Sequence, residues 1–184
     1  MTKSNDRRTE ILDRLADHVL SHGLIASSLR ALAKAAATSD RMLLYYFKDK
    51  PEIIAATVEV IAARMVLRMN VMASPNPLPL DALVRHLSAV LSHAEFRPFN
   101  RLWLEIASMA ARGDPFYAQV GEVIGRGFLD WGAAQLASDD TSAHDRDAAQ
   151  LLIMIEGIVF LNSIGLSDVV QTAIGSPLSP GTKS

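Results

Sequence analysis

Arg41, Lys48 and Lys50 lie within ten residues of one another, beside Ser39, Asp40, Met42 and Tyr46. Side chains of these types suit recognition of a polyanion. A guanidinium at Arg41 can bond guanine O6 and N7 bidentately, and Met42 can touch a thymine methyl group. The hydroxyls of Ser39 and Tyr46 can reach phosphate oxygens, which position a reader without specifying a base. Lys50 falls beside the expected N-terminus of a helix, where an ammonium and free backbone N–H groups together form an anion site. Lys48 is a second cation of the same kind. Asp40 is the exception, because its charge repels phosphate. It either orients Arg41 or Lys34, or accepts a hydrogen bond from cytosine N4. Ser39 also has a local task as an N-cap, with Asp40 in the first turn where negative charge suits the helix dipole.

The elements that must position this set are two short helices. Leu29, Leu32, Ala33 and Ala36 fall at i, i+3, i+4 and i+7, one face of a helix. Ala37, Thr38 and Ser39 interrupt it, and a second short helix carries Asp40 to Tyr46. Because Leu43, Tyr45 and Phe47 cannot all face a groove, Tyr45 is assigned to the interior of the head. Two helices crossing at a tight turn form a unit that can place its second helix in the major groove. Upstream, Ile11, Leu15 and Val19 mark a first helix of about five turns ending at Gly23. Downstream, Asp49 or Lys50 caps a fourth helix with Pro51 at its start, running to about Met72. SPNPLP, residues 74–79, then breaks the chain before helices over roughly 80–95, from after Arg97–Pro98 to Gly113, 115–137, 144–164 and 167–174.

Residues 8–60 resemble the DNA-binding head of TetR-family transcriptional regulators. Arg30, Ala33, Ser39, Leu43, Tyr45, Phe47, Lys48 and Lys50 stand where that pattern has such residues. Three departures stand out. Ala37 replaces the usual turn glycine, so the turn either avoids positive φ or carries about 1 kcal/mol of strain. Asp40 and Arg41 replace a basic or amide residue and a small one. Leu44 replaces the first of the usual aromatic pair. The resemblance implies contact of Arg30 with phosphate or guanine, against a plain reading as a solvated arginine. It also implies a homodimer whose two heads meet a palindromic operator in double-stranded DNA. Its later helices would enclose a cavity whose small-molecule occupant changes the separation of the heads.

For that cavity the sequence offers Met65, Met69, Trp103, Ile106, Phe116, Phe128, Trp131 and Phe160 as apolar wall, with His86, Asn100 and Glu156 as polar groups. Each apolar one is equally readable as ordinary core. Glu156 sits among Leu152, Ile153, Ile155 and Ile158, and could pair across a dimer interface, face a ligand or lie exposed. Glu105 is expected to pair with Arg101 at i, i+4. No catalytic constellation or metal-ligand set is recognisable, and no cofactor is expected.

The chain of 184 residues has a net charge of −2 and no cysteine, which fits a reducing cytoplasm. Charge is unevenly spread: residues 1–72 hold eleven Lys/Arg against eight Asp/Glu, and the remainder seven against twelve. The polar start MTKSNDRRTE gives no sign of a signal peptide, and the apolar run 151–166 is too short and polar to span a membrane. The expected fold is all-α. A three-helix head over residues 1–50 contains the helix-turn-helix, a ligand-binding and dimerisation body covers 51–175, and residues 176–184 form a disordered tail. The expected function is a cytoplasmic DNA-binding regulator, a repressor released from a palindromic operator by an apolar effector. The alternative is an all-helical small-molecule or protein-binding dimer without sequence-specific DNA binding.

Overall fold

The structure, a computed structural model, describes residues 3–137 and 141–175. Helices follow one another as α1 (Lys3–His22), α2 (Leu29–Ala35), α3 (Asp40–Tyr46), α4 (Lys50–Met72), α5 (Leu80–Leu91), α6 (Arg97–Ala111), α7 (Pro115–Ala133), α8 (Thr141–Ser163) and α9 (Ser167–Ile174). Among the described residues the only strand-like pairing is a parallel bridge between Leu78 and Leu136. The all-α expectation holds.

Two compact units form, Met1–Met72 with Ala94–Gly125, and Ala73–His93 with Arg126–Ser184. The core of the first joins Ile11, Leu15 and Val19 of α1 to Leu32 of α2, Leu43 of α3, Ile53 and Ile54 of α4, and Phe99, Leu102 and Ile106 of α6. The second packs Leu83 and Leu87 of α5 against Leu151 and Ile158 of α8 and Val170 of α9.

Local chemistry explains the helix ends that position the site. Asp49 Oδ1 accepts from Glu52 N–H at 2.9 Å, and Glu52 Oε2 reaches back to Lys48 N–H at 2.7 Å, closing the start of α4 reciprocally. Of the two caps expected for α4, Asp49 is the one used. Gly23 ends α1 with φ 81, as its place there suggested.

Four boundaries differ from expectation, one of them the start of α8, which begins at Thr141 and not near residue 144. α5 stops at Leu91, and a 3₁₀ turn over Ala94–Phe96 follows. α6 begins at Arg97, taking Pro98 into its first turn, where the missing N–H costs nothing. α7 ends at Ala133 because Leu78 N–H donates to Gln135 C=O, and Ala137 N–H to Leu78 C=O, both at 2.9 Å. The expected tail over 176–184, and residues 138–140 of the segment expected to link the helices over 115–137 and 144–164, lie outside the described residues.

Candidate nucleic-acid interface

The turn between α2 and α3 is closed by two backbone bonds. Thr38 N–H donates to Ala33 C=O at 2.9 Å and Ala37 N–H to Lys34 C=O at 3.1 Å. This pattern requires a left-handed residue after the helix end. Ala37 supplies it at φ 51, the one non-glycine residue with positive φ among those described. The open question about this turn is thus answered: positive φ is kept, and with it the strain of an alanine in the left-handed region. Ser39 then caps α3, its hydroxyl accepting from Met42 N–H at 3.2 Å. Ser28 does the same for α2 with Ala31 N–H, a cap the sequence reading overlooked.

On α3, Leu43 is buried and Tyr46 is half-buried against the same core. Phe47, just past the helix, is also buried, with the Arg8 guanidinium 4.7 Å above its ring. Tyr45 is 74% exposed, which corrects the expectation that it packs inside the head. The inward residues repeat at helical spacing (43, 46 and 47), not at the alternate spacing that suggested 43, 45 and 47. Tyr46 keeps its ring edge-on to Tyr45, with centroids 5.2 Å apart.

Asp40, Arg41, Met42, Leu44 and Tyr45 are exposed, as are Arg30, Lys34, Lys48 and Lys50 on the neighbouring segments. Among the described residues Asp40 makes no ion pair with Arg41 or Lys34, so the orienting role weighed for it has no contact behind it. At about 100° per residue, Arg41 lies near the centre of the exposed arc of α3. Leu44 stands about 60° to one side of it and Tyr45 about 40° to the other, while Met42 falls at the margin. Leu44 and Tyr45 were both missing from the residues first picked for recognition.

The elbow between α1 and α2 is held by α6. Glu105 Oε2 accepts from Leu24 N–H and Oε1 from Ile25 N–H, each at 2.8 Å. One turn earlier Arg101 donates to the last carbonyls of α1, Leu20 at 2.6 Å and Ser21 at 3.2 Å. The expected i, i+4 partnership is replaced by these tertiary bonds, in which Arg101 satisfies carbonyls that the end of α1 leaves open and Glu105 accepts from N–H groups of the elbow beyond it. From α4, Arg64 reaches Asp13 at 2.9 Å and Asp17 at 2.7 Å, which further raises its already high pKa against the opposing effect of burial.

The residues proposed for an effector divide between the two units. In the first, Met69 and Ile106 are buried, Ile106 within the head core, and Met65, Asn100, Trp103 and Phe116 are half-buried. In the second, His86, Phe128, Trp131 and Glu156 are half-buried and Phe160 is 51% exposed. Phe116 lines a groove between α4 and α7 with Ala55, Val58, Val120 and Val123, enclosing about 200 Å³. That is below the roughly 300–1,000 Å³ of a small-molecule site, so this groove does not suit a drug-sized effector. No helix among the described residues is long and apolar enough to cross a membrane.

No protein-family profile matches the sequence. A curated relative, nucleoid occlusion factor SlmA of Marinomonas sp. (strain MWYL1), is 26% identical over 124 residues, which are 67% of this chain and 63% of that protein. The aligned part is therefore under two thirds of that relative's length. Among solved structures, a transcriptional regulator from Rhodococcus sp. Rha1 superposes with a TM-score of 0.66 at 21% identity, covering 91% of this chain and 88% of that one. Salmonella enterica GusR gives 0.63 at 18%, covering 95% and 92%. A TetR transcription regulator from Haloarcula marismortui gives 0.60 at 17%, covering 92% and 93%.

Proposed function

From the fold it shares with TetR-type transcriptional regulators, we propose that this chain is a DNA-binding regulator of transcription acting as a homodimer on a palindromic operator. The observation that carries the reading is the exposed face of α3. Arg41 stands near its centre, Ser39 caps its start, and Lys48 and Lys50 follow at the adjoining helix end. Arg41 reads a guanine, Lys50 and Lys48 hold phosphate, and Arg30 and the hydroxyl of Tyr46 add backbone contacts. A mildly basic first unit needs a second head to bind tightly. α8 supports that pairing, for it leaves Ile153, Met154 and Phe160 exposed, with Ile164 exposed just past its end.

The regulatory half of the proposal is repression relieved by an apolar effector. An effector that favours a dimer with badly spaced heads must weaken DNA binding by the same free energy with which DNA opposes the effector. Within the first unit Met65, Met69, Trp103 and Phe116, with Asn100 as the polar group, remain the proposed effector contacts; within the second they are Phe128 and Trp131, with His86 and Glu156.

The test is selection of bound duplexes from a random pool by the purified protein at moderate salt. Recovery of a palindrome supports the reading, with half-sites about 34–36 Å apart if the heads meet successive grooves. A folded dimer that enriches no sequence before or after refolding from denaturant overturns it. It would favour instead an all-helical binding dimer, to which the exposed, unpaired Asp40 on the same face points.

A further inference from the structure

We infer that Leu44 is a specificity residue that reads the C5-methyl group of a thymine next to the guanine addressed by Arg41. The inference rests on the DNA-binding reading above and adds a base to it. Of the five exposed positions of α3, three are apolar, Met42, Leu44 and Tyr45, on a helix of seven residues. A single exposed leucine would need no explanation. Here the apolar atoms are gathered on the one face that also presents Arg41, with Leu44 45% exposed beside it.

The geometry selects the occupant. A seven-residue helix is about 10.5 Å long and enters a major groove about 12 Å wide, whereas it is far too short to form an apolar helix–helix seam. The cations Arg30, Lys34, Lys48 and Lys50 on the flanking segments match a polyanion, not an apolar protein surface. Leu44 lies about 4.5 Å further along the axis than Arg41, close to the 3.4 Å rise of one base pair. The only apolar group a base edge offers in that groove is the thymine methyl. Leu44 has no polar atom with which to read anything else.

The experiment uses the full-length protein and the duplex recovered by selection, with each thymine of a half-site replaced in turn by deoxyuridine. That change removes the methyl group and leaves base pairing intact. At one position beside the guanine, affinity should fall about fourfold, the value of one buried methyl group, and about fifteenfold when both half-sites are changed. Leu44→Ala should lose a similar amount on the thymine duplex and bind thymine and deoxyuridine duplexes alike at that position. Met42→Ala, at the margin of the face, should retain the difference. A recovered motif whose thymines all tolerate deoxyuridine, or a Leu44→Ala protein that still discriminates, overturns the inference and leaves DNA binding standing. Recovery of no motif overturns both.

Discussion

Removing the Glu105 carboxylate should destabilise the first unit by about 2–3 kcal/mol, a loss that can be worked out bond by bond. Its two oxygens each accept a backbone N–H at 2.8 Å, from Leu24 and Ile25. A hydrogen bond to a charged group contributes about 1.5–3 kcal/mol, and the loss is complete only where water cannot replace it. Ile25 is 87% exposed, so its N–H regains a water partner. Leu24 is 3% exposed, so its N–H is left without one. Glu105→Ala should therefore lose the Leu24 bond almost entirely and the Ile25 bond in part. Glu105→Gln keeps one acceptor oxygen and should lose about half as much. In a chain of this size the alanine variant should melt about 4–12 °C lower.

A second perturbation tests the same atoms. A Cβ built on Gly23 would lie 2.9 Å from Glu105 Oε2, at a φ of 81. Gly23→Ala thus incurs both a left-handed penalty of about 1 kcal/mol and displacement of the carboxylate. In a Glu105→Ala background only the first cost remains, so the two changes should be sub-additive by about 1 kcal/mol. Denaturant unfolding of the four proteins measures this. A loss below about 0.5 kcal/mol for Glu105→Ala, or strict additivity with Gly23→Ala, would refute the clamp.

Other outcomes are expected. Ala37→Gly should leave stability unchanged or raise it by up to about 0.5 kcal/mol, the relief of φ 51 less the greater freedom of glycine in the unfolded chain; thermal melting with a lower midpoint would contradict it. Arg41→Ala should weaken operator binding by about 1–3 kcal/mol and relax choice at one base pair. Uniform weakening across all sequences in the selection assay would make Arg41 a phosphate contact instead. Burial, and then the charge of His22, pushes the pKa of His18 below its ordinary 6.5. The unfolded state then binds the extra proton first, so stability present above about pH 6.5 should decline as pH falls through that value, and His18→Gln should flatten this part of the profile. A wild-type stability that rises on acidification between pH 7.5 and 5.5 would contradict this. Phe160→Glu, on the exposed apolar run of α8, should give a folded monomer by sedimentation; an intact dimer would move the interface elsewhere.

What could be read from the chain was whatever is decided within one turn of helix. Ser39 as a cap, Gly23 as a stop and Pro51 at the start of α4 depend only on neighbours in sequence, and each stands where it was placed. Tyr45 and Tyr46 were less legible. Two adjacent aromatic residues differ by about 100° around a helix, and only the register of Leu43 and Phe47 against the core settles which turns inward. Glu105 was beyond local reasoning. Its partners are 81 and 80 residues away, and an i, i+4 arginine offered a plausible neighbour that the fold does not use. The same holds for α7, whose end lies beside the backbone pairing of Leu78 with Gln135 and Ala137.

These long-range bonds bear on what the exposed face of α3 needs in order to exist. α3 is seven residues long, below the length at which a helix holds itself in water, and it is fixed inward by Leu43, Phe47 and part of Tyr46. The pocket receiving those side chains is completed by α1 and α4, and continues into Phe99, Leu102 and Ile106 of α6. Arg64 from α4 and Arg101 with Glu105 from α6 tie down α1, on which α2 and α3 rest. A boundary drawn at residue 50 follows the sequence motif, but the core and its polar ties run through it. The helix-turn-helix is therefore presented by the whole first unit, and a change in α6 has a direct structural route to the face that carries Arg41 and Leu44.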